Sequence, residues 1–513
     1  MFTKKRSAAV LAAAVTTALT LSACSGGGSG GGGDESDVPA EIVVAKESEP
    51  TRVADPIIDG SLAGYSWYYA LFDTLTILTP DGEIVPRLST EWESSDDLMT
   101  WTFNVREGVT FTNGDPLTAH DVAFTYNQIL SEPDSSPRSY MQPLESAEAI
   151  DDTTVEFHLN TPFSPFPSIT TSVSIVPEDT YTEMGSEAFA EAPVGSGPYQ
   201  FTSRNVGVDY VIERNDDYWG EQAPYEKITF QTIADEDARL NGVLSSSVDV
   251  ALIAPNQVDS VSGAAEAMSQ ESNGVTFFGM NSTEGPLQDQ KVRRAVELAI
   301  DKQSLVDNVL DGRASVASQM IAPAVAGYDD SLEVSDFDPD QARELLDEAG
   351  YDGTPITLSY ASAGRIPLSA EYVQAVQAML QDVGFEIELE GMDQSTFSDR
   401  VYSDKDMPGI YLNTYAPSQM DGDPVIEDMF AGGYNDYAME DETDELVDLT
   451  RETEGEERVE AYGDLMRYNE ENSLLIPLYV PDTNFVVSDD VEFDPRADGL
   501  YLFFPIGGEA AAE

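Results

Sequence analysis

Between Asp338 and Leu389 the sequence writes one local form twice. Asp338-Pro339 reads as a helix N-cap followed by proline at the first helical position. Ala342, Leu345, Leu346 and Ala349 then make an apolar face, and Gly350 stops it. Ser369 to Val383 repeats the pattern with Val373, Val376, Leu380 and Val383 inward and Gly384 as terminator. Phe385, Ile387 and Leu389 alternate directly afterwards, as a half-buried strand does. Helix–glycine–strand units of this kind belong to layered α/β folds, in which helices cover a sheet.

Upstream, strands dominate. Trp101, Phe103 and Val105 alternate with Thr102 and Asn104, and Val155, Phe157 and Leu159 repeat the pattern. Gly108 and Asn113-Gly114 mark turns, and Thr118 caps a helix with Asp121 as its capping-box partner. One helix is expected over about 288–310, its stripe formed by Val292, Ala295, Val296 and Ala299 and extended by Leu305, Val306 and Val309. A strand-rich early part and a helix-rich later part predict two unlike lobes.

Charge narrows the function classes. The 513 residues carry 95 acidic against 25 basic side chains, a formal net charge of −70. Apolar residues at 41% still suffice for a real core, which excludes an acidic disordered chain. Nucleic acid is excluded as a partner, because its binding rests on Lys and Arg neutralising phosphates. One Cys and two His (His120 and His158) leave no internal disulfide and no His/Cys metal cluster. No metal and no cofactor is expected, and no nucleophile–base set can be assembled, so the chain is not read as an enzyme.

The first residues carry an address. Lys4, Lys5 and Arg6 precede an apolar stretch from Ala8 to Leu21, too short for a comfortable membrane span. It ends in Leu21-Ser22-Ala23-Cys24, which resembles the lipobox of bacterial lipoprotein signal peptides. That resemblance implies a signal at 1–23, lipid on Cys24, and an extracytoplasmic body held at the cell membrane. Cleavage removes three positive charges and takes the net charge from −70 to −73. Residues 24–40 contain a glycine-rich tether; the GxSxG match at 27–31 lies inside it and needs a strand-to-helix turn to mean catalysis.

Several segments in order along the body resemble one family. The longest runs from Leu88-Ser89-Thr90-Glu91-Trp92 through Trp101 to Phe111 and on through Asn113-Gly114-Asp115-Pro116-Leu117-Thr118-Ala119-His120-Asp121-Val122. Further matches are Pro193-Val194-Gly195-Ser196-Gly197-Pro198-Tyr199 and Glu213-Arg214-Asn215-Asp216-Asp217-Tyr218-Trp219-Gly220. Val292-Arg293-Arg294-Ala295, Ala299-Ile300-Asp301 and Ile476-Pro477-Leu478-Tyr479 complete the set. They are similar to the family 5 solute-binding proteins of ABC importers, the group that binds oligopeptides, dipeptides and nickel.

The resemblance implies an α/β, two-lobed, periplasmic-binding-protein-like clam (class II, cluster C type) with a hinge. Lobe I would span residues 41–275 with 487–513 returning to it, and lobe II residues 278–486. The implied partners are a small solute, a short peptide first of all, the permease and ATPase of an ABC importer, and the membrane through Cys24; the chain would act as a monomer. A non-peptide solute (an oligosaccharide, an opine-like amine or a metal chelate) and a sensor without a permease are the alternatives.

Binding residues in this family cluster at four places, which here carry Asp55, then Tyr65 and Trp67, then Phe278 and Asn281, and finally Asn413, Tyr415, Asp421 and Asp423. In peptide-binding members an acidic residue shortly before the late Asp-Pro pairs with the peptide's α-amino group. Asp421 stands one position closer to the proline than that, and Tyr415 stands where many members carry Trp. Gly195-Ser196-Gly197 reads as a tight turn rather than a phosphate loop. Asp336, Asp338 and Asp340 lack the glycine and glutamate of a calcium loop, and Glu440 to Asp448 reads as a solvated helix face. Trp92, Trp101 and Trp219 read as packing residues.

The negative charge is expected to coat the fold and to repel itself at low ionic strength, as in a protein adapted to a saline exterior. Stability of the mature domain should therefore rise between about 10 mM and about 2 M salt. Urea midpoints that do not move across that range would contradict the expectation.

Overall fold

The computed structural model describes residues 39–50, 54–438 and 441–506. The signal segment, Cys24 and most of the tether lie outside the described residues, as does Glu440 of the acidic run. Within them a sheet of twelve strands runs through the molecule, made continuous by the strand Leu475–Ser488. From Leu475 to Tyr479 that strand pairs antiparallel with Val275–Met280; from Asp482 to Ser488 it pairs with Ala265–Glu271 and Val250–Leu252. One strand thus belongs to both lobes.

On the first lobe's side, Glu41–Lys46 lies parallel to Lys227–Thr232 and Val250–Leu252, and the hairpin Tyr199–Asn205/Asp209–Arg214 extends the sheet. A separate four-stranded sheet holds Ser89–Ser94, Thr100–Val105, Thr154–Leu159 and Leu144–Ala149. The alternation at Trp101, Phe103 and Val105 buries those three side chains, as period-two patterning demands. They join a core rich in aromatics, which includes Trp67, Phe157 and Tyr199 and is completed by Phe485, Val487, Tyr501 and Phe503 from the chain's end.

The second lobe contains the predicted helix–glycine–strand unit, and the strand Ile356–Ala361 ahead of it makes it a βαβ crossover. Ile356–Ala361 and Ile387–Met392 lie parallel, joined by the helix Ser369–Val383, because a parallel pair needs a crossover and a helix supplies it. Gly350 (φ 68°) and Gly384 (φ 112°) end their helices in the left-handed region, as the sequence pattern requires. Asp338 Oδ1 accepts from Gln341 N at 2.9 Å, a helix cap rather than a calcium loop. The expected single helix over 288–310 is two, Gln290–Leu298 and Lys302–Val309. Asp301 divides them: its carboxylate accepts from Ser304 N at 2.9 Å and starts a new helix instead of continuing the old one.

The Thr118 capping box is formed. Its hydroxyl accepts from His120 N, and the Asp121 carboxylate accepts from Thr118 N at 2.9 Å. Thr118→Ala should cost about 1 kcal/mol, the usual value of an N-cap, read as a shift in the urea midpoint; an unchanged midpoint would show that the Asp121 half of the box suffices.

Away from the crossing strands the lobes also touch. Leu78, Met420 and Ala497 pack together, and Ser164 N donates to Arg451 O at 2.8 Å while the Arg451 guanidinium lies 6.0 Å from the Phe163 ring centre.

Candidate functional site

Where the sheet passes from one lobe to the other, it leaves a cavity of about 350 Å³. The first lobe contributes Glu47, Glu236, Arg239 and residues 252–255; the second contributes Thr276, Leu310, Arg313, Thr414 and the loop 365–367. Tyr479 and residues 481–484 of the shared strand form its floor. An adjoining hollow of about 260 Å³ shares Glu236, Pro255 and Pro367 and runs under the first turn of the helix Ser369–Val383. Larger open hollows lie on the outer surface near Lys291 and near Asp489. The inter-lobe cavity draws on both lobes and the strand between them, so a molecule held there touches every part that hinge motion would move.

Its chemistry is mixed. Arg313 reaches from the second lobe to Asp259 of the first at 2.7 Å. Asp482 lies opposite Glu271 in the strand register, and burial followed by Glu271 repulsion raises its pKa. The Glu271 carboxylate accepts from Ser315 Oγ at 2.5 Å. Burial pushes the Tyr479 phenol up to about 12, so it lines the floor as a neutral hydroxyl. Arg365 is exposed; its guanidinium contacts the Tyr402 hydroxyl at 3.5 Å and forms no ion pair among the described residues. Ile366, Pro367, Leu310 and Ile253 supply apolar wall.

The residues expected from sequence fall in several places. Tyr65 sits in the aromatic helix Leu62–Leu71, stacked 5.7 Å from Tyr69, with its hydroxyl 2.9 Å from that of Tyr140. Burial raises its phenol, and the Tyr140, Ser172 and Ser418 hydroxyls hold that rise back, the last of these from the opposite lobe. Trp67 is fully buried in the first core, its ring 4.2 Å from Tyr210. Asp55 is equally buried and accepts from Ile57 N and the Tyr181 hydroxyl at 2.9 and 2.7 Å; burial raises its pKa.

Phe278 packs in the second core, and Asn281 bonds Met407 O and the Thr283 hydroxyl at the far end of the same strand. Asn413 donates to Asn435 Oδ1 at 2.9 Å and to the Tyr402 hydroxyl at 3.3 Å. Tyr415 is half-buried; burial raises its phenol, and Arg365 nearby moderates the rise.

Asp421 and Asp423 are brought together, each with a guanidinium. Arg458 grips Asp421 with two bonds, 2.7 and 2.9 Å, and the Tyr462 hydroxyl adds a third. Arg451 binds Asp423 at 2.6 Å, yet burial still raises the Asp423 pKa. Around the cavity the structure gathers Thr414 and Arg365, with Tyr415 near Arg365; none of the nine residues expected from sequence (Asp55, Tyr65, Trp67, Phe278, Asn281, Asn413, Tyr415, Asp421 and Asp423) is among its lining residues.

Arg239, Arg365, Glu47 and Asp482 were not singled out by sequence. A signal was available: in a chain with so few cations, an Arg in a glycine-containing loop just ahead of a helix deserved weight. Gly195-Ser196-Gly197 is the turn into the strand Tyr199–Asn205, with Ser196 Oγ on Asp73 at 2.8 Å. Among the described residues no group of His, Cys, Asp and Glu is arranged to hold a metal, and no helix is long and apolar enough to cross a membrane.

The family model of the bacterial extracellular solute-binding proteins, family 5 middle, matches residues 83–437. The nickel-binding periplasmic protein of Escherichia coli K12 is 26% identical over 353 residues, 64% of this chain and 66% of that one. Among solved structures, the ABC transporter substrate-binding protein CtaP of Listeria monocytogenes superposes with a TM-score of 0.82 at 23% identity, over 90% of this chain and 98% of that one. DppA of Helicobacter pylori, an ABC transporter-associated periplasmic binding protein in complex with the peptide STSA, gives 0.75 at 21% identity, over 91% and 98%. The fold is that of these binding proteins.

Proposed function

Because the chain belongs to the family 5 extracellular solute-binding proteins, we propose that it captures a small solute between its lobes and hands it to the permease and ATPase of an ABC importer. It does so as a monomer without cofactor or catalysis, held at the outer face of the membrane by lipid on Cys24. Residues 41–275 with 487–513 act as one jaw and 278–486 as the other, and a short peptide is the leading solute. One observation carries this reading: the cavity is walled by both lobes and floored by the strand they share, with Arg365 offering a guanidinium that no carboxylate among the described residues occupies. A peptide's carboxylate matches that group, and the apolar wall takes its side chains.

The second reading, a solute without a free amine, is favoured by Asp421 and Asp423. Both carboxylates are committed to arginines of the chain itself, so neither stands open to an ammonium group.

Native mass spectrometry of the mature protein against a mixed pool of short peptides and sugars tests the class of solute. A retained ligand should raise Tm by mass action, worth about 2.7 kcal/mol at a hundredfold excess over Kd. It should also shrink the radius of gyration in solution scattering as the jaws close. Scattering that does not change at saturation would count against closure, and retention of no pool member would count against capture.

A further inference from the structure

Away from the crossing strands, one buried apolar cluster is drawn from both lobes. Met420 of the second lobe sits against Leu78 and Ala497 of the first, with Ile84 and Ala324 at the edge. The other clusters among the described residues are each confined to one lobe and the crossing strands. Met420 is 1% exposed and has φ 49°, in the left-handed region that a residue with a Cβ rarely enters. Such a conformation persists only where its surroundings over-determine it. Here the second lobe alone does so. Ala326 N donates to Met420 O at 2.9 Å, Gly422 N donates to Ala326 O at 2.8 Å, and Met420 N donates to Pro417 O at 3.2 Å. Arg458 grips the next residue, Asp421. The side chain is thus set as a knob before it meets the first lobe.

The socket is equally firm. Leu78 O accepts from Arg496 Nη1 at 3.2 Å, and Arg496 is held by Asp498 at 2.6 Å, both side chains being buried. Ala497 O accepts from Asn273 N at 3.0 Å. Beside the knob the lobes come closer still: a Cβ on Gly82 would lie 2.6 Å from Ala324 O and 3.1 Å from Met420 Cε. Glycine at that position is what lets the turn between the paired strands Thr76–Leu78 and Ile84–Pro86 approach the second lobe. Two surfaces that are already formed lose little conformational freedom when they meet, so the gain from burying their apolar atoms is little offset by ordering. The chain makes this contact alone, and none of these residues lines the inter-lobe cavity.

We propose that Met420 is the catch of a latch between the jaws. Seated between Leu78 and Ala497, it weights the open–closed equilibrium toward closure by an amount that does not depend on which solute is bound. A solute then supplies only the remainder of the closing free energy, so solutes with few contacts of their own still close the jaws. The inference rests on the two-jaw reading given above. A weld that never parts would use the same residues, and what separates the two is whether the lobes move apart when the seat is spoiled.

The test measures the radius of gyration by solution scattering and amide exchange by mass spectrometry, for the mature chain without added solute. The wild type is compared with Met420→Ala, which empties the socket, and with Ala497→Leu, which fills it so that Met420 cannot seat. The double variant puts the added leucine where the methionine is lost. Each single variant is expected to raise the radius of gyration and to speed exchange in residues 76–86 several-fold, while exchange in Thr100–Val105 stays as in the wild type. The double variant should return both readings toward the wild-type values, because the apolar volume of the contact is restored. If Ala497→Leu expands the molecule and Met420→Ala does not, the jaws move but Met420 is no catch. If neither expands it and Tm falls, the lobes do not part here, and the two-jaw reading fails with the latch. Faster exchange in Thr100–Val105 as well would make Met420 a general support of the fold and overturn the latch.

Discussion

Arg458→Ala should lower the stability of the protein by about 3–5 kcal/mol, the usual consequence of stripping one partner from a buried ion pair. Asp421 is 2% exposed and would keep its charge with only the Tyr462 hydroxyl and the Asp423 amide to satisfy it. Burial works against the charge on Arg458, but Asp421 more than offsets this and holds its pKa above the ordinary value. The pair therefore has substantial mutual dependence and modest net worth: the double change Arg458→Met with Asp421→Leu should recover most of the loss, because apolar replacements of similar volume are often neutral or better. Urea denaturation of the four proteins at fixed salt gives the cycle. A single-variant loss under 1 kcal/mol, in the range of an exposed pair, would mean that water reaches Asp421. The same geometry changes what Asp421→Ala should do. Sequence alone suggested a loss of ligand affinity; the structure predicts a loss of stability at this position, with affinity nearly intact.

Gly195→Ala should be destabilising by about 3 kcal/mol or more, at the upper end of what overpacking costs. A Cβ there would lie 1.9 Å from Leu71 O and 2.9 Å from the Phe72 ring. Nothing in that contact is the loose end of a flexible side chain. Leu71 ends the aromatic helix Leu62–Leu71 and its carbonyl accepts from Gly197 N at 3.0 Å, so relief requires the helix to move away from the turn. Gly195 is needed for close approach of two backbones and not for a left-handed conformation. Ser196→Ala is the control: it removes one bond to Asp73 and should cost about 1–2 kcal/mol. Equal urea midpoints for Gly195→Ala and Ser196→Ala would show that the turn can yield.

How far the sequence could be read depended on the range of the interaction. The Thr118–Asp121 box, the Gly350 and Gly384 terminators and the alternation at Trp101, Phe103 and Val105 all depend on neighbours a few residues away, and they stand as expected. Asp301 was read as part of one long helix because an apolar stripe continues through it; the capping preference of its side chain outweighs that continuity. The site was harder. Asp421 and Arg458 are 37 residues apart, and Asp55 and Tyr181 are 126 apart, so no local pattern shows that these carboxylates are already engaged. Trp67 carried the aromatic signature of a ligand wall, and the same chemistry serves a core stacked on Tyr210. The cavity itself is made by strand ends and loops, Glu47, Arg239, Arg365 and Asp482 among them, whose proximity exists only once both lobes are assembled.

The strand Leu475–Ser488 has a further bearing on the order in which the protein comes into being. Phe485, Val487, Tyr501 and Phe503 complete the core begun by Ile42 and Val44, and the Tyr199 hydroxyl donates to Phe503 O across 304 residues. The lobe that is synthesised first is therefore finished last. Its sheet lacks the edge that Leu475–Ser488 covers, and its core lacks Phe485, Tyr501 and Phe503, until residues 475–503 have been made. Contacts of such long sequence separation fold slowly, so the closing of this first core waits on the strand that also builds the second.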